Sequence, residues 1–455
     1  MHLGTHHSHW LRHLSAVQLL LSFYFLAILA STLLLLLPVA YLPGVSVQFI
    51  DVLFTAVSAL SVTGLSTITI AESFSTTGIV FLMFILQLGA VGVMAIGTFL
   101  WMLLGKKVSL RERRLIMTDQ NQTTFGGVVK LIQQIVLVLF IIEVISTIVF
   151  TIYYLQYFPT FSEAFINGLF STVSAISNGG FDITGNSLIP YQQDYFIQLM
   201  TMILIVIGAI GFPVLVEVKE FLMTPRKSRR FYRFSLFTKV TTTTFAALIV
   251  FGTGIIYLID MFAYFKGMPA DQAFFASLFQ SVTTRSGGLS TIPVDQLREQ
   301  NHLFMSILMF IGASPSSAGG GIRTTTFALV VIFIITYARG GKSIRLFRRE
   351  VYDQDLKKAV TVTFLALVLV MGALFMISLI EPAYSMMEIL FEVTSAFGTV
   401  GLSLGITGEL TIVSKCVLMI LMFIGRVGVI TFLFMFTRNP KDETYRFPKE
   451  RIIIG

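Results

Sequence analysis

Cysteine occurs once in 455 residues, at Cys416, so no disulfide can form within the chain and cysteine usage leaves the redox compartment open. Histidine is scarce too: five of the six lie at positions 2, 6, 7, 9 and 13, and the sixth is His302. None falls inside a long apolar run, which argues against a haem or a histidine-ligated metal at membrane depth. The group His2, His6, His7 and His9 reads as a frayed polar tail rather than a metal site. Charge is also sparse, at 12% of residues against 55% apolar. A mean hydropathy of +0.83 lies far above that of soluble globular domains.

What is abundant is long apolar sequence. Runs 19–37, 131–155 and 359–380 carry one charge or none and reach the roughly 20 residues that cross hydrocarbon. They read as helices, because lipid offers an open chain no other way to pair its backbone. The first run is too long for the core of a signal peptide, lacks a small-x-small cleavage site and is followed by further spans, so it is expected to remain as the first helix.

The formal charge of +8 suggests a nucleic-acid partner until the basic residues are placed. Twenty-six of the 32 fall at Arg12 or in the zones 105–130, 217–240, 338–358 and 438–451. By the positive-inside rule these zones are cytoplasmic, and both termini with them. Each interval between zones then holds an even number of crossings. Each has one plan: a long apolar helix, a stretch of about 12 residues too short to cross, and a second long apolar helix.

The plan repeats at the level of residues. The short stretches read FTAVSALSVTGLS from Phe54, FSTVSAISNGGFD from Phe170, FQSVTTRSGGLS from Phe279 and FEVTSAFGTVGLS from Phe391. The second helices carry QLGAVG, VIGAIG, FIGASP and FIGRVG, whose first glycines are Gly89, Gly208, Gly312 and Gly425. The expected fold is an all-α integral membrane protein of eight transmembrane helices and four re-entrant loops around one pseudo-fourfold pore. The parts are a tail over 1–14, units over 15–105, 128–223, 236–338 and 358–437, linkers over 106–127, 224–235 and 339–357, and a tail over 438–455.

Irregular backbone survives at membrane depth only where protein buries it or water lines it, so re-entrant loops imply a cavity. Four equivalent loops can present main-chain carbonyls to one axis, which is how a protein replaces the hydration shell of a small monovalent cation. The candidate ring is Val62, Thr63 and Gly64; Asn178, Gly179 and Gly180; Ser286, Gly287 and Gly288; and Thr399, Val400 and Gly401. Glycine lets backbone approach an ion closely. Asp51, Glu163, Asp271 and Glu388 stand near the starts of the short helices, where the macrodipole favours an acid and leaves the carboxyl ends aimed at the cavity.

These motifs resemble the Trk/Ktr/HKT superfamily of cation transporters, and the fourth unit, with SAFGTVGL followed by FIGRVG, is similar to the bacterial Ktr membrane subunits. The resemblance covers about Gln18 to Arg438. It implies that Gly64, Gly180, Gly288 and Gly401 govern potassium preference, that the protein is a homodimer in the bacterial plasma membrane, and that it sits on a cytosolic ring of nucleotide-binding regulatory subunits (KtrA/KtrC type). The second loop has NGGF and the third TTRSGGL where relatives often have NAGF and TPRTAGF, which leaves fine selectivity open. Potassium is the implied substrate, with no cofactor bound by this chain. Sodium as a second ion, and sodium or proton coupling, stay open.

The second helix of the third unit, 303–337, would be about 52 Å long as a straight helix against a core of about 30 Å. Pro315 and Gly319, Gly320 and Gly321 must break it. The segment Ser314, Pro315, Ser316, Ser317, Ala318, Gly319, Gly320 and Gly321 is either a packing kink or a flexible stretch across the cavity. The resemblance implies the latter, an intramembrane gate, with the arginine matching Arg426 facing the pore beside it. Lys266, Arg298 and Lys415 fall in or beside outer loops, leaving Arg285, Arg323 and Arg426 at membrane depth, where charge is costly and functional. Arg285 is expected to pair with an acid such as Glu392 in the neighbouring loop helix and brace the ring; Arg323 either serves the gate or snorkels.

Two rival classes compete with this reading. RGGKS at 339–343 fails as a phosphate-binding loop because Thr336 stands where its first glycine belongs, and no nucleophile motif is present, so no enzyme is expected. A secondary transporter of another small solute would use inverted pairs of broken helices, whereas these four units enter and leave from one side. The basic loops 105–114, 226–233 and 339–349 suit either a regulatory ring or anionic headgroups.

Overall fold

The computed structural model describes residues 16–103, 127–341 and 343–434, with a few positions between 108 and 117 and residue 450. The N-terminal histidines and the last basic zone lie outside the described residues. The chain is mostly helical. Four long helices, α1 (Ala16–Leu35), α5 (Val128–Tyr154), α9 (Leu236–Asp260) and α13 (Asp353–Ile380), are each long and apolar enough to cross a membrane. Their outward faces leave Phe25, Phe140, Val250 and Phe364 exposed, as lipid-facing surface would.

Each long helix is followed by a short one: α2 (Phe49–Leu60), α6 (Phe161–Ile176), α10 (Ala270–Thr283) and α14 (Met386–Gly398). Local sequence starts them. The Ser385 hydroxyl accepts from the Glu388 amide while the Glu388 carboxylate accepts from the Ser385 amide, a complete capping box. Thr160 caps α6 by accepting from the Glu163 amide. Small residues seat the short helices on the long ones: a Cβ on Gly168 of α6 would lie 2.9 Å from the Thr151 amide of α5. Ser281 of α10 donates to the Ile249 carbonyl of α9 at 2.8 Å.

The remaining apolar helices are divided. The pairs are α3 (Thr76–Val91) with α4 (Val93–Leu103), α7 (Tyr195–Ala209) with α8 (Phe212–Met223), α11 (Glu299–Ile311) with α12 (Thr324–Ala338), and α15 (Ile412–Val427) with α16 (Val429–Phe434). The third break was expected. The other three fall where Gly92, Gly211 and Gly428 take φ of +97°, +102° and +96°, values no helix contains. At Gly211 the axis turns by 106°, and Pro213 prevents repair because it has no amide to offer the Ala209 carbonyl. In the linker after α12, Arg345–Leu346 pairs antiparallel with Arg349–Glu350 around Phe347 and Arg348, a small hairpin the sequence did not suggest.

The buried core lies where the short helices meet the divided ones. Phe54, Phe170, Phe279 and Phe391, the first residue of each loop motif, are at most 2% exposed.

Candidate functional site

After each short helix the chain makes the same turn. A non-glycine residue takes positive φ: Val62 (+57°), Asn178 (+58°), Ser286 (+68°) and Thr399 (+47°). Two residues later a glycine does so: Gly64 (+92°), Gly180 (+66°), Gly288 (+73°) and Gly401 (+96°). A β-branched residue in the left-handed region is uncommon and marks imposed strain. The third motif is one residue shorter after its Phe, yet it keeps this spacing, so the missing residue is absorbed before the turn.

The residue between the two turns its amide back to the helix. Thr63 donates to the Ser58 carbonyl (2.8 Å), Gly179 to that of Ser174 (2.7 Å), Gly287 to that of Thr283 (2.6 Å) and Val400 to that of Ser395 (2.9 Å). With that amide consumed, each residue's carbonyl is left to face elsewhere. Each of those carbonyls lies against a glycine of a neighbouring loop. A Cβ on Gly64 would lie 2.5 Å from the Gly179 oxygen, and one on Gly180 2.8 Å from the Gly288 Cα. A Cβ on Gly288 would lie 2.5 Å from the Val400 oxygen, and one on Gly401 would collide with the Thr63 oxygen. The contacts run from the first loop to the second, third and fourth and back to the first. They make a closed constriction too tight for any side chain and rimmed by the oxygens of Thr63, Gly179, Gly287 and Val400.

Sequence reasoning passed over the groups that hold these turns. Ser58, Ser174, Thr283 and Ser395 all sit four residues after the motif Phe, and all are at most 1% exposed. Ser58 and Ser395 accept from the amides of Gly64 and Gly401, each at 3.1 Å. Ser174 donates to the Phe181 carbonyl at 2.7 Å and Thr283 to that of Leu289 at 2.6 Å. The signal was a hydroxyl in one column of all four motifs, legible once the motifs are stacked.

The expected pair of Arg285 with Glu392 does not form. Glu392 instead accepts from Ser403 (2.5 Å), the Leu404 amide (3.0 Å) and Thr407 (2.8 Å), bracing the stretch just beyond Gly401. Arg285, fully buried, reaches the Gly312 carbonyl at 3.5 Å, while its Nε and Nη2 have no hydrogen-bond partner. It sits just past the carboxyl end of α10 and beside that of α11, whose dipoles favour a cation. Proximity of two loops did not specify which way their side chains point.

Below the constriction lies the segment between α11 and α12. Side chains on Gly319 and Gly320 would strike Ser286 and Thr399, residues of the turns themselves, the latter at 2.6 Å from its Oγ1. Arg426, 9% exposed, donates to the Ser317 carbonyl at 3.1 Å and to that of Ala318. It also reaches the carbonyls of Gly89 and Ala90 (2.9 Å), which the break at Gly92 leaves free. Arg323 turns inward to the Ser314 (3.4 Å), Gly319 and Arg426 (3.4 Å) carbonyls rather than snorkelling. Ser314 and Thr324 share a hydrogen bond of 2.9 Å that closes the base of the segment, and Gly321, at φ +83°, packs on Gly312. Pro315 and Ser316 face the break at Gly211.

On the opposite side of the constriction, Lys415 in the first turn of α15 pairs with Asp51 of α2 at 3.0 Å. Among the described residues no group of three or more His, Cys, Asp or Glu stands together as a metal would need.

The family model described as TrkH, cation transport protein, matches residues 5–446. The chain is 51% identical to Ktr system potassium uptake protein D of Bacillus subtilis, over 97% of this chain and 98% of that one. It is 35% identical to Ktr system potassium uptake protein B of the same organism, over 98% of each. It is 32% identical to potassium/sodium uptake protein NtpJ of Enterococcus hirae, again over 98% of each. The crystal structure of the potassium transporter TrkH from Vibrio parahaemolyticus superposes with a TM-score of 0.71 at 18% identity, covering 95% of this chain and 86% of that one, a likeness of fold.

Proposed function

Because this chain belongs to the TrkH family of cation transport proteins, we propose that it is a potassium uptake transporter whose ion passes through the ring of Thr63, Gly179, Gly287 and Val400 carbonyls. It is a membrane protein rather than an enzyme, and we place it in the bacterial plasma membrane. The observation that carries the reading is the closed circuit of glycine contacts, which brings four loops from across the sequence to one constriction lined by main chain. Oxygens fixed there offer a dehydrated monovalent cation a substitute for water.

The wider architecture follows. Four units of long helix, short helix and divided helix would give eight crossings about a pseudo-fourfold axis, with both termini cytoplasmic. The order of helices and the recurrence of a positive-φ pair in all four loops support it. The segment Ser314 to Gly321, lying against Ser286 and Thr399 and held by Arg426, would be the gate. We further propose a homodimer whose gate is controlled by a cytosolic nucleotide-binding ring. The names of the two relatives that belong to a Ktr system support a multicomponent assembly. Sodium is the second ion to test, since one relative is named for both ions. The decisive experiment is growth rescue of a potassium-uptake-deficient cell, with potassium and sodium varied independently. Growth restored at low potassium is expected; no rescue, or rescue by sodium alone, overturns the assignment.

A further inference from the structure

The break between α7 and α8 leaves three main-chain groups without a helical partner: the Gly208 and Ala209 carbonyls and the Phe212 amide. Such groups cannot stay unpaired inside a membrane protein. All three are taken by the segment below the constriction. Ala318 donates to the Gly208 carbonyl and Ser314 to that of Ala209, each at 3.0 Å, while Phe212 donates to the Ser316 carbonyl at 2.7 Å. The two pieces fit closely: a Cβ on Gly211 would lie 2.9 Å from the Pro315 oxygen. The matching break after α15 has no such neighbour among the described residues, for a Cβ on Gly428, at nearly the same φ, would meet nothing within 4 Å there.

We propose that the break at Gly211 is a latch. It holds the 314–318 segment closed through main-chain hydrogen bonds, and Gly211 is the positioning residue that lets the segment seat. This rests on the gate reading above and adds a second set of contacts, besides those of Arg426, that secures the gate. Pro213 is part of the device, since it keeps the Ala209 carbonyl free for the segment. Opening must exchange these three bonds for water, so weakening the latch favours the open state.

The test compares Gly211→Ala with Gly428→Ala in the full chain, reconstituted without any regulatory subunit. Both variants force a side chain into the same region of φ, but only the first pushes on Pro315. Gly211→Ala is expected to raise potassium leak about fivefold, the change from losing one hydrogen bond at roughly 1 kcal/mol, with potassium-over-sodium preference unchanged. Phenyllactate at position 212 replaces the amide N–H by an ester oxygen while keeping the side chain, removes the donor to the Ser316 carbonyl, and should raise leak similarly even if Gly211→Ala folds poorly. Leak at Gly211→Ala no greater than at Gly428→Ala, or wild-type leak with the ester, overturns the latch. Deleting 315–320 separates the two readings: if the deletion leaks and the latch variants do not, only the latch fails, and if the deletion does not leak the gate reading falls with it.

Discussion

At the scale of the residue, the site is defined by what four glycines lack. Gly64 stands at φ +92° with the Gly179 oxygen 2.5 Å from where its Cβ would be. Gly64→Ser therefore adds backbone strain and displaces a ring oxygen, and potassium-over-sodium preference should fall at least about tenfold, or roughly 1.4 kcal/mol, in flux from proteoliposomes; unchanged preference would remove the ring from the permeation path. These glycines were legible because they recur in register. The hydroxyls of Ser58, Ser174, Thr283 and Ser395 were as legible but lay in the helical half of each motif, where a buried serine reads as packing. The partners of Arg285 and Glu392 were not legible, since a loop's position does not fix its rotamers.

At the scale of the element, the long helices and the short ones were plain from apolar run length. The breaks at Gly92, Gly211 and Gly428 were not, because the sequence stays apolar through them and one torsion angle decides each. The break at 312–323 was legible because proline and three glycines announce it. If that stretch is the gate, deleting 315–320 should raise regulator-independent leak, measured as potassium efflux from liposomes; equal efflux would rule it out. A second prediction concerns Glu381, just past α13, which accepts from the Thr411 amide (2.8 Å) and from Thr411 (2.7 Å) and Ser414 (2.7 Å) hydroxyls at the start of α15. Burial pushes its carboxyl up, but these bonds outweigh burial and hold it below its ordinary value. Its contribution to stability is thus complete above about pH 4.3 and is lost as pH falls through the lower folded value. Glu381→Gln should cost about 1.5–3 kcal/mol at pH 7 and flatten the acid limb of a thermal-stability profile; an identical limb would contradict this.

At the scale of the whole molecule, a single chain must close a circle between its first and last parts, which no linker joins. The Lys415–Asp51 pair does this on the side of the ring away from the segment, with side chains only 9% and 13% exposed. Lys415→Met strands a largely buried carboxylate and should lower stability by about 1–3 kcal/mol, read as a drop in melting temperature in detergent. Adding Asp51→Asn should recover most of it, and failure to recover would mean that packing, not charge, joins the two ends. Its long separation in sequence is why this clasp was missed: Lys415 alone looked like a loop residue.

Besides its ties to Arg323 and Gly312, the segment under the ring is held by the bend at Gly211 and by Arg426. If that segment is the gate, a blockage fixed that way would clear like a hatch and not like an iris: a short stretch would swing while the surrounding helices stood still. Conductance would then switch without the bilayer having to accommodate any change in the outline of the protein.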